Sequence, residues 1–319
     1  MNGSRNTSIL IASFLASLPL WLGVNAADSQ FQRAFFIPGS LQNPEYITAS
    51  ISQASLLAQK QPPLLQLNAR AALSIFVDEQ GNASVLFEKD SSTPFPIASI
   101  TKLMTALVVK DHLAPDQDIP ITIEAVLKEE DTGNLKVGQV LDTQNLLASL
   151  LIESSNDAAV ALAHAIGQDL FLKLMNEKAS ALELTQSSFS DVAGVDPNHA
   201  GIAQNRMSAK DVAQLASFIM KQHPDIADIL ATPRMNIYSS QGTFHHSAAT
   251  TNALLHDKTL PAKILMGKTG WTPSSRGCLL LVTEHPEGKG YLVNVILGSD
   301  DRFFDMKRLI QWVAETHEL

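Results

Sequence analysis

Two strand-rich stretches bracket this chain and the segments between them read as helices, an order that leaves few architectures open. Residues 71–77 (Ala-Ala-Leu-Ser-Ile-Phe-Val) have the composition of a strand, residues 78–82 carry turn chemistry and residues 83–88 read as a second strand, so the first stretch is a hairpin. Residues 277–284 and 291–297 form a second strand pair joined by a Pro/Gly turn, and residues 302–315 a closing helix. In the middle, Ile100, Leu103, Met104, Leu107 and Val108 recur at helical spacing and make one apolar stripe. Residues 146–165 are an Ala/Leu-rich helical stretch interrupted by Glu153-Ser154-Ser155-Asn156-Asp157. Residues 169–183 and 208–221 read as further helices, the last with Ser208 as its N-cap and Asp211 three residues on. Strands at both ends with helices between them predict an α+β domain.

Charge and cysteine content narrow the class. A formal charge of −9 argues against nucleic acid, which rewards clustered Lys and Arg. The single cysteine, Cys278, cannot form an intramolecular disulfide and lies in the apolar run Leu279-Leu280-Leu281-Val282, so it reads as a buried structural residue. At the N-terminus Arg5 precedes an apolar run over residues 9–24, and Val24-Asn25-Ala26 offers a small-x-small cleavage pattern. Residues 1–26 therefore read as a signal peptide removed after Ala26, and the run is short of the roughly 20 residues that an uncleaved spanning anchor needs. Residues 27–61 form an N-terminal segment to which no role is assigned, closed by Pro62-Pro63, and residues 62–319 form the main domain.

Three short clusters carry chemistry. Ser99-Ile100-Thr101-Lys102 places a hydroxyl and an amine one turn apart on one helix face. A serine is a weak nucleophile until a base takes its proton, and a desolvated amine can be that base; the bland alternative is an N-cap serine followed by a solvated lysine. Ser154-Ser155-Asn156 sets small polar side chains inside an apolar helical region, where an unpartnered buried polar group costs about 1–3 kcal/mol. These residues either cap a helix break or face a site, in which Ser154 relays a proton between Lys102 and a leaving group and Asn156 bonds Lys102 and a substrate amide. Lys268-Thr269-Gly270 suits a strand edge that a peptide approaches closely, with positive charge and a hydroxyl for a terminal carboxylate, although K-T-G is also a common turn tripeptide.

In this order the clusters S-x-x-K, S-x-N and K-T-G are the signature of penicillin-binding proteins and serine β-lactamases. The wording around them, Ala98-Ser99-Ile100-Thr101-Lys102-Leu103-Met104, Ser154-Ser155-Asn156-Asp157-Ala158-Ala159 and Gly267-Lys268-Thr269-Gly270-Trp271-Thr272, resembles the D-alanyl-D-alanine carboxypeptidases among the low-molecular-mass penicillin-binding proteins. The resemblance covers residues 62–315. It implies a β-lactamase/transpeptidase-like fold, a five-stranded antiparallel sheet flanked by helices with a mostly helical lobe. By the same resemblance Ser99 is the nucleophile, Lys102 the base, Ser154 and Asn156 their catalytic helpers, and Lys268, Thr269 and Gly270 the substrate-binding strand. The Ser99 N–H and one from Trp271 or Thr272 would form the oxyanion hole. Implied partners are the D-Ala-D-Ala stem peptides of peptidoglycan and β-lactams as covalent inhibitors, with no metal or organic cofactor. The implied place is the periplasm or extracytoplasmic envelope, with no stable membrane anchor once the signal is cleaved. Compactness and the wording near Ser99 and Trp271 also resemble the subgroup that cuts D-Ala crosslinks as endopeptidases.

One departure stands out: some family members carry an arginine just before the Asn matching Asn252, and here Thr251 occupies that place. Two rival readings remain. A class A β-lactamase would carry S-D-N and a deacylating Glu loop, whereas this chain has Ser155 in the middle position and no matching Glu between Asn156 and Lys268. An inactive peptidoglycan-binding scaffold would not need the complete set of nucleophile, base and helpers. His245 and His246 are adjacent, do not share a helix face and read as a solvated loop, as does His199.

Overall fold

In a computed structural model the structure describes residues 64–127, 134–197 and 203–317. The readings of residues 1–26 and 27–61 and of His199 lie outside the described residues. The chain divides into two compact units, Met1–Leu64 and Leu65–Leu319, and the second carries all the elements below.

The predicted first hairpin is β1 (Ala71–Asp78) and β2 (Ala83–Lys89), closed by Asp78, whose carboxylate accepts from the backbone and side chain of Asn82. A two-residue strand β3 (Phe95–Pro96) leads into a 3-10 turn, Ala98–Thr101, and then α1 (Lys102–His112). Short strands β4 (Asp118–Pro120) and β5 (Val140–Asp142) pair with each other. The Ala/Leu-rich stretch is two helices, α2 (Thr143–Ile152) and α3 (Asn156–Ile166), broken where the sequence placed the polar cluster. Next come α4 (Gln168–Ala181), β6 (Arg206–Met207), α5 (Ala209–Gln222) and α6 (Pro224–Leu230). Ser208 caps α5 as expected, its hydroxyl accepting from Asp211 N at 3.0 Å. A hairpin of β7 (Arg234–Tyr238) and β8 (Phe244–Ala249) precedes β9 (Ile264–Thr272), β10 (Arg276–Glu284), β11 (Gly290–Ser299) and the closing α7 (Arg302–Thr316).

The main sheet is five-stranded and antiparallel in the order β2-β1-β11-β10-β9, which bears out the α+β, transpeptidase-like reading. The N-terminal hairpin therefore joins the C-terminal strands across most of the chain. Both faces are covered, which is why the inner strands are apolar runs rather than alternations. Leu73, Ile75, Val77, Leu280, Val282, Val293 and Val295 face the core shared with the helices. Ala72, Leu279, Leu281, Leu292 and Ile296 pack on the other side against Met306, Leu309, Ile310 and Val313 of α7. Cys278 is fully buried in the first core, and burial pushes its thiol up to about 11, in keeping with a structural role.

The stripe on α1 understates that helix. Lys102, Thr105, Ala106 and Val109 are as buried as the apolar positions, so α1 is enclosed all round from Lys102 to Val109 and only its last turn reaches the surface. The histidine pair is a correction: His245 and His246 lie half-buried on β8, not in a loop. His246 Nε2 meets Glu153 Oε1 at 2.7 Å and His245 Nε2 meets Gln139 Oε1 at 3.0 Å. Among the described residues no single helix is long and apolar enough to cross a membrane.

Candidate active site

The nucleophile candidate sits on a strained turn. Ala98 has φ of +46°, a left-handed conformation uncommon for a residue with a side chain, and it turns the chain abruptly from β3 into Ser99. Lys102 begins α1 immediately after, which puts its amine back over the turn: Lys102 Nζ lies 2.9 Å from Ser99 Oγ. The same nitrogen donates to Asn156 Oδ1 at 2.7 Å and to the Ala193 carbonyl at 2.9 Å. Lys102 has no exposed surface. Two of these three groups are carbonyl oxygens, which only accept, whereas a hydroxyl can donate as well. Lys102 Nζ donates to all three here, and of these bonds only the one to the Ser99 hydroxyl can reverse and pass a proton to the amine.

The Ala193 carbonyl had no side-chain signal in the sequence. Asp191 holds it there, with Oδ1 accepting from the backbone N–H of Ala193, Gly194 and Val195 at 2.8, 2.6 and 3.2 Å. Gly194, at φ +81°, passes so close to Ala98 that a Cβ would fall 2.1 Å from the Ala98 oxygen. Asp196 extends the same loop to the β9–β10 turn by accepting from Thr272 Oγ1 at 2.8 Å and Ser274 N at 3.0 Å.

The break between α2 and α3 divides its two serines. Ser155 is the N-cap of α3, its hydroxyl accepting from Ala158 N at 3.1 Å. Ser154, at φ +66°, turns into the site, and Lys268 Nζ donates to its hydroxyl at 2.8 Å. The cap reading is realised by Ser155, and one residue earlier Ser154 meets Lys268. Ser154 contacts Lys268 rather than Lys102 in this geometry, and Asn156 supplies the link from the break to Lys102.

The third wall is the free edge of β9. Lys268 is 1% exposed and also donates to the Thr269 carbonyl at 3.0 Å. Burial, and then the charges of Lys102 and Arg302, push its amine well below the ordinary lysine range. Thr269 Oγ1 and Thr251 Oγ1 lie 2.5 Å apart, so the residue standing where some relatives have arginine touches the strand directly. Gly270 is the contact between the walls. A Cβ there would fall 2.9 Å from Ile97 O and 3.0 Å from Ser99 N, both backbone atoms, so only glycine lets the strand come this near the nucleophile.

The next residue has a defined direction. Thr272 N donates to Ser275 Oγ at 3.0 Å inside the hairpin turn. Successive N–H groups of a strand point to opposite sides, so the Trp271 N–H points to the free edge on the side of Ser99. Of the two residues, it is thus Thr272 whose N–H is engaged in the turn. Among the described residues no group of His, Cys, Asp and Glu is arranged to hold a metal.

Comparison with known proteins places this geometry. A family profile described as D-alanyl-D-alanine carboxypeptidase matches residues 57–301. The D-alanyl-D-alanine endopeptidase of Pseudomonas aeruginosa is 29% identical over 272 residues, covering 83% of this chain and 85% of that one. The crystal structure of a D-alanyl-D-alanine carboxypeptidase from Mycobacterium tuberculosis superposes with a TM-score of 0.69 at 26% identity, covering 79% of this chain and 94% of that one. Penicillin-binding protein D2 of Listeria monocytogenes, in a cefotaxime-bound form, superposes at 0.66 with 25% identity over 79% and 99% of the two chains.

Proposed function

This chain belongs to the D-alanyl-D-alanine carboxypeptidase family and is a serine D,D-peptidase of peptidoglycan, and from that premise we propose which of its residues do the work. Ser99 attacks the carbonyl carbon of the penultimate D-alanine, in its peptide bond to the terminal D-alanine, while Lys102 takes the hydroxyl proton. The observation that carries this assignment is the amine 2.9 Å from Ser99 Oγ with two carbonyl acceptors around it. The negative charge that develops on the substrate oxygen is met by the N–H groups of Ser99 and Trp271, fixed before the substrate arrives. The proton that Lys102 took passes to the departing amine with Ser154, held by Lys268, as the relay, so that Lys102 and Ser154 both return to their starting states, and Asn156 keeps Lys102 aligned. An ester to Ser99 remains, and water releases it.

Lys268 and Thr269 receive the substrate carboxylate. An arriving anion favours the charged form that burial disfavours on Lys268. The free edge of β9 accepts the peptide as an added strand. β-Lactams acylate the same serine, a reading supported by the cefotaxime-bound relative. Peptidoglycan lies outside the cytoplasmic membrane, so the enzyme works after export, with residues 1–26 as the signal peptide.

The test is digestion of purified pentapeptide muropeptides and D,D-crosslinked dimers, read by mass spectrometry. The native protein should release D-Ala from the monomers or split the dimers, and Ser99→Ala should do neither. An active Ser99→Ala protein would remove the nucleophile assignment.

A further inference from the structure

Arg302, the first residue of α7, meets β9 at Gly270, and apart from its charge felt at Lys268 it has no part in the catalytic reading. Its Nη1 donates to the Gly270 carbonyl at 3.1 Å. Among the described residues it forms no salt bridge, although Asp301 beside it attracts its charge through space, and its buried Nε has no hydrogen-bond partner. Its other near neighbour is the ring of Phe303, 4.9 Å from the guanidinium carbon. Gly277 makes room for it, since a Cβ there would fall 3.0 Å from Arg302 Cβ. A partly desolvated cation has thus been brought under the sheet and directed at one backbone carbonyl.

That carbonyl belongs to the peptide unit whose N–H is Trp271's. No described peptide bond is cis, so the two groups leave the unit in opposite directions, the oxygen toward Arg302 and the N–H toward Ser99. Hydrogen bonds arranged head to tail polarise one another: a cation at the oxygen draws electron density through the amide and makes its N–H a stronger donor. We propose that Arg302 is a positioning residue for the oxyanion hole, holding and polarising the Gly270–Trp271 peptide so that its N–H binds the negatively charged oxygen of the transition state. This rests on the reading of Ser99 and Trp271 given above.

The experiment is infrared difference spectroscopy of the acyl-enzyme made by the whole chain with a penicillin labelled with carbon-13 at its β-lactam carbonyl. The frequency of the resulting ester reports how strongly the hole grips that oxygen. In the native protein the ester band should lie below that of the same penicilloyl ester in water. Arg302→Gln should move it up and slow acylation about tenfold, a part of the roughly hundred- to thousandfold lost when a whole oxyanion donor is removed. Arg302→Lys, which keeps the charge, should fall between and serves if the glutamine variant does not fold. An unmoved band in a folded variant overturns the proposal, including the case where Arg302 acts only through the charge on Lys268, which would change KM and leave the ester alone. A native band at the water frequency would instead overturn the oxyanion hole itself.

Discussion

Asp305 and Lys102 are both buried and ionisable, and each is held by three groups, one behind the sheet and one in front. Asp305 accepts from Asn68 N at 3.2 Å, Ala69 N at 2.9 Å and Ser299 Oγ at 2.6 Å. Ser299 in turn accepts from Asp301 N at 3.1 Å, which commits its proton to Asp305. Every donor there has one role, and the result is a clamp between the start of the sheet and α7. At Lys102 the third partner is the Ser99 hydroxyl, which can give or receive, and that ambiguity lets a proton move. Buried polarity serves fixity on one face and reaction on the other, and what separates them is whether a partner has a second role.

Lys102→Met should break the front face alone. It removes the base and keeps most of the volume, so acylation by a fluorescent penicillin should slow by about a thousandfold, within the range for loss of a general base. The melting temperature should fall modestly, because the carbonyl oxygens of Asn156 and Ala193 lose this donor. Fast labelling by this variant would move the base elsewhere.

Asp305→Asn should break the back face alone. An amide in place of the carboxylate keeps one acceptor and turns the other toward the donors. Losing charge-assisted bonds should cost about 2 kcal/mol of unfolding free energy, with penicillin acylation within a few-fold of native. Denaturant titration reads the first and labelling the second; a large loss of acylation at full stability would mean the two faces are coupled.

The smallest effect is a pH dependence. Lys268 is held below its unfolded value, so below the unfolded lysine range the unfolded chain binds the extra proton and stability rises with pH. The window runs from the depressed folded pKa toward 10.5, and is clearest below pH 9, where Cys278, with its raised pKa, does not yet oppose it. Lys268→Met should flatten that rise in thermal melts. An unchanged slope would place the titrating group elsewhere.

How much of this could be read from the chain follows the kind of group involved. The hairpin of β1 and β2 was legible because Asp78-Glu79-Gln80-Gly81-Asn82 is turn chemistry between apolar runs. The strands β10 and β11 were legible as runs because both sheet faces are covered. The β7–β8 hairpin and α6 were not foreseen: Phe244-His245-His246-Ser247-Ala248-Ala249 is half-buried with no clean alternation, and its histidines are placed by Gln139 and Glu153, far away in sequence. The six candidate side chains and Gly270 lie close together, yet the Ala193 carbonyl and the Gly270 peptide are backbone, and backbone has no letter. The contact of Ser154 with Lys268 instead of Lys102 depends on a positive φ that the sequence does not mark.

The sheet order has a consequence for how the molecule is made. Ser74 donates to Asn294 across the β1–β11 ladder, a bond spanning 220 residues. Closing a loop of that length delays folding, and α1, α2 and α3 all lie inside it. Gly270 can meet Ser99 only once the last strands have docked beside β1. A chain interrupted before β11 has no partly working site, so activity itself marks a molecule that has been completed.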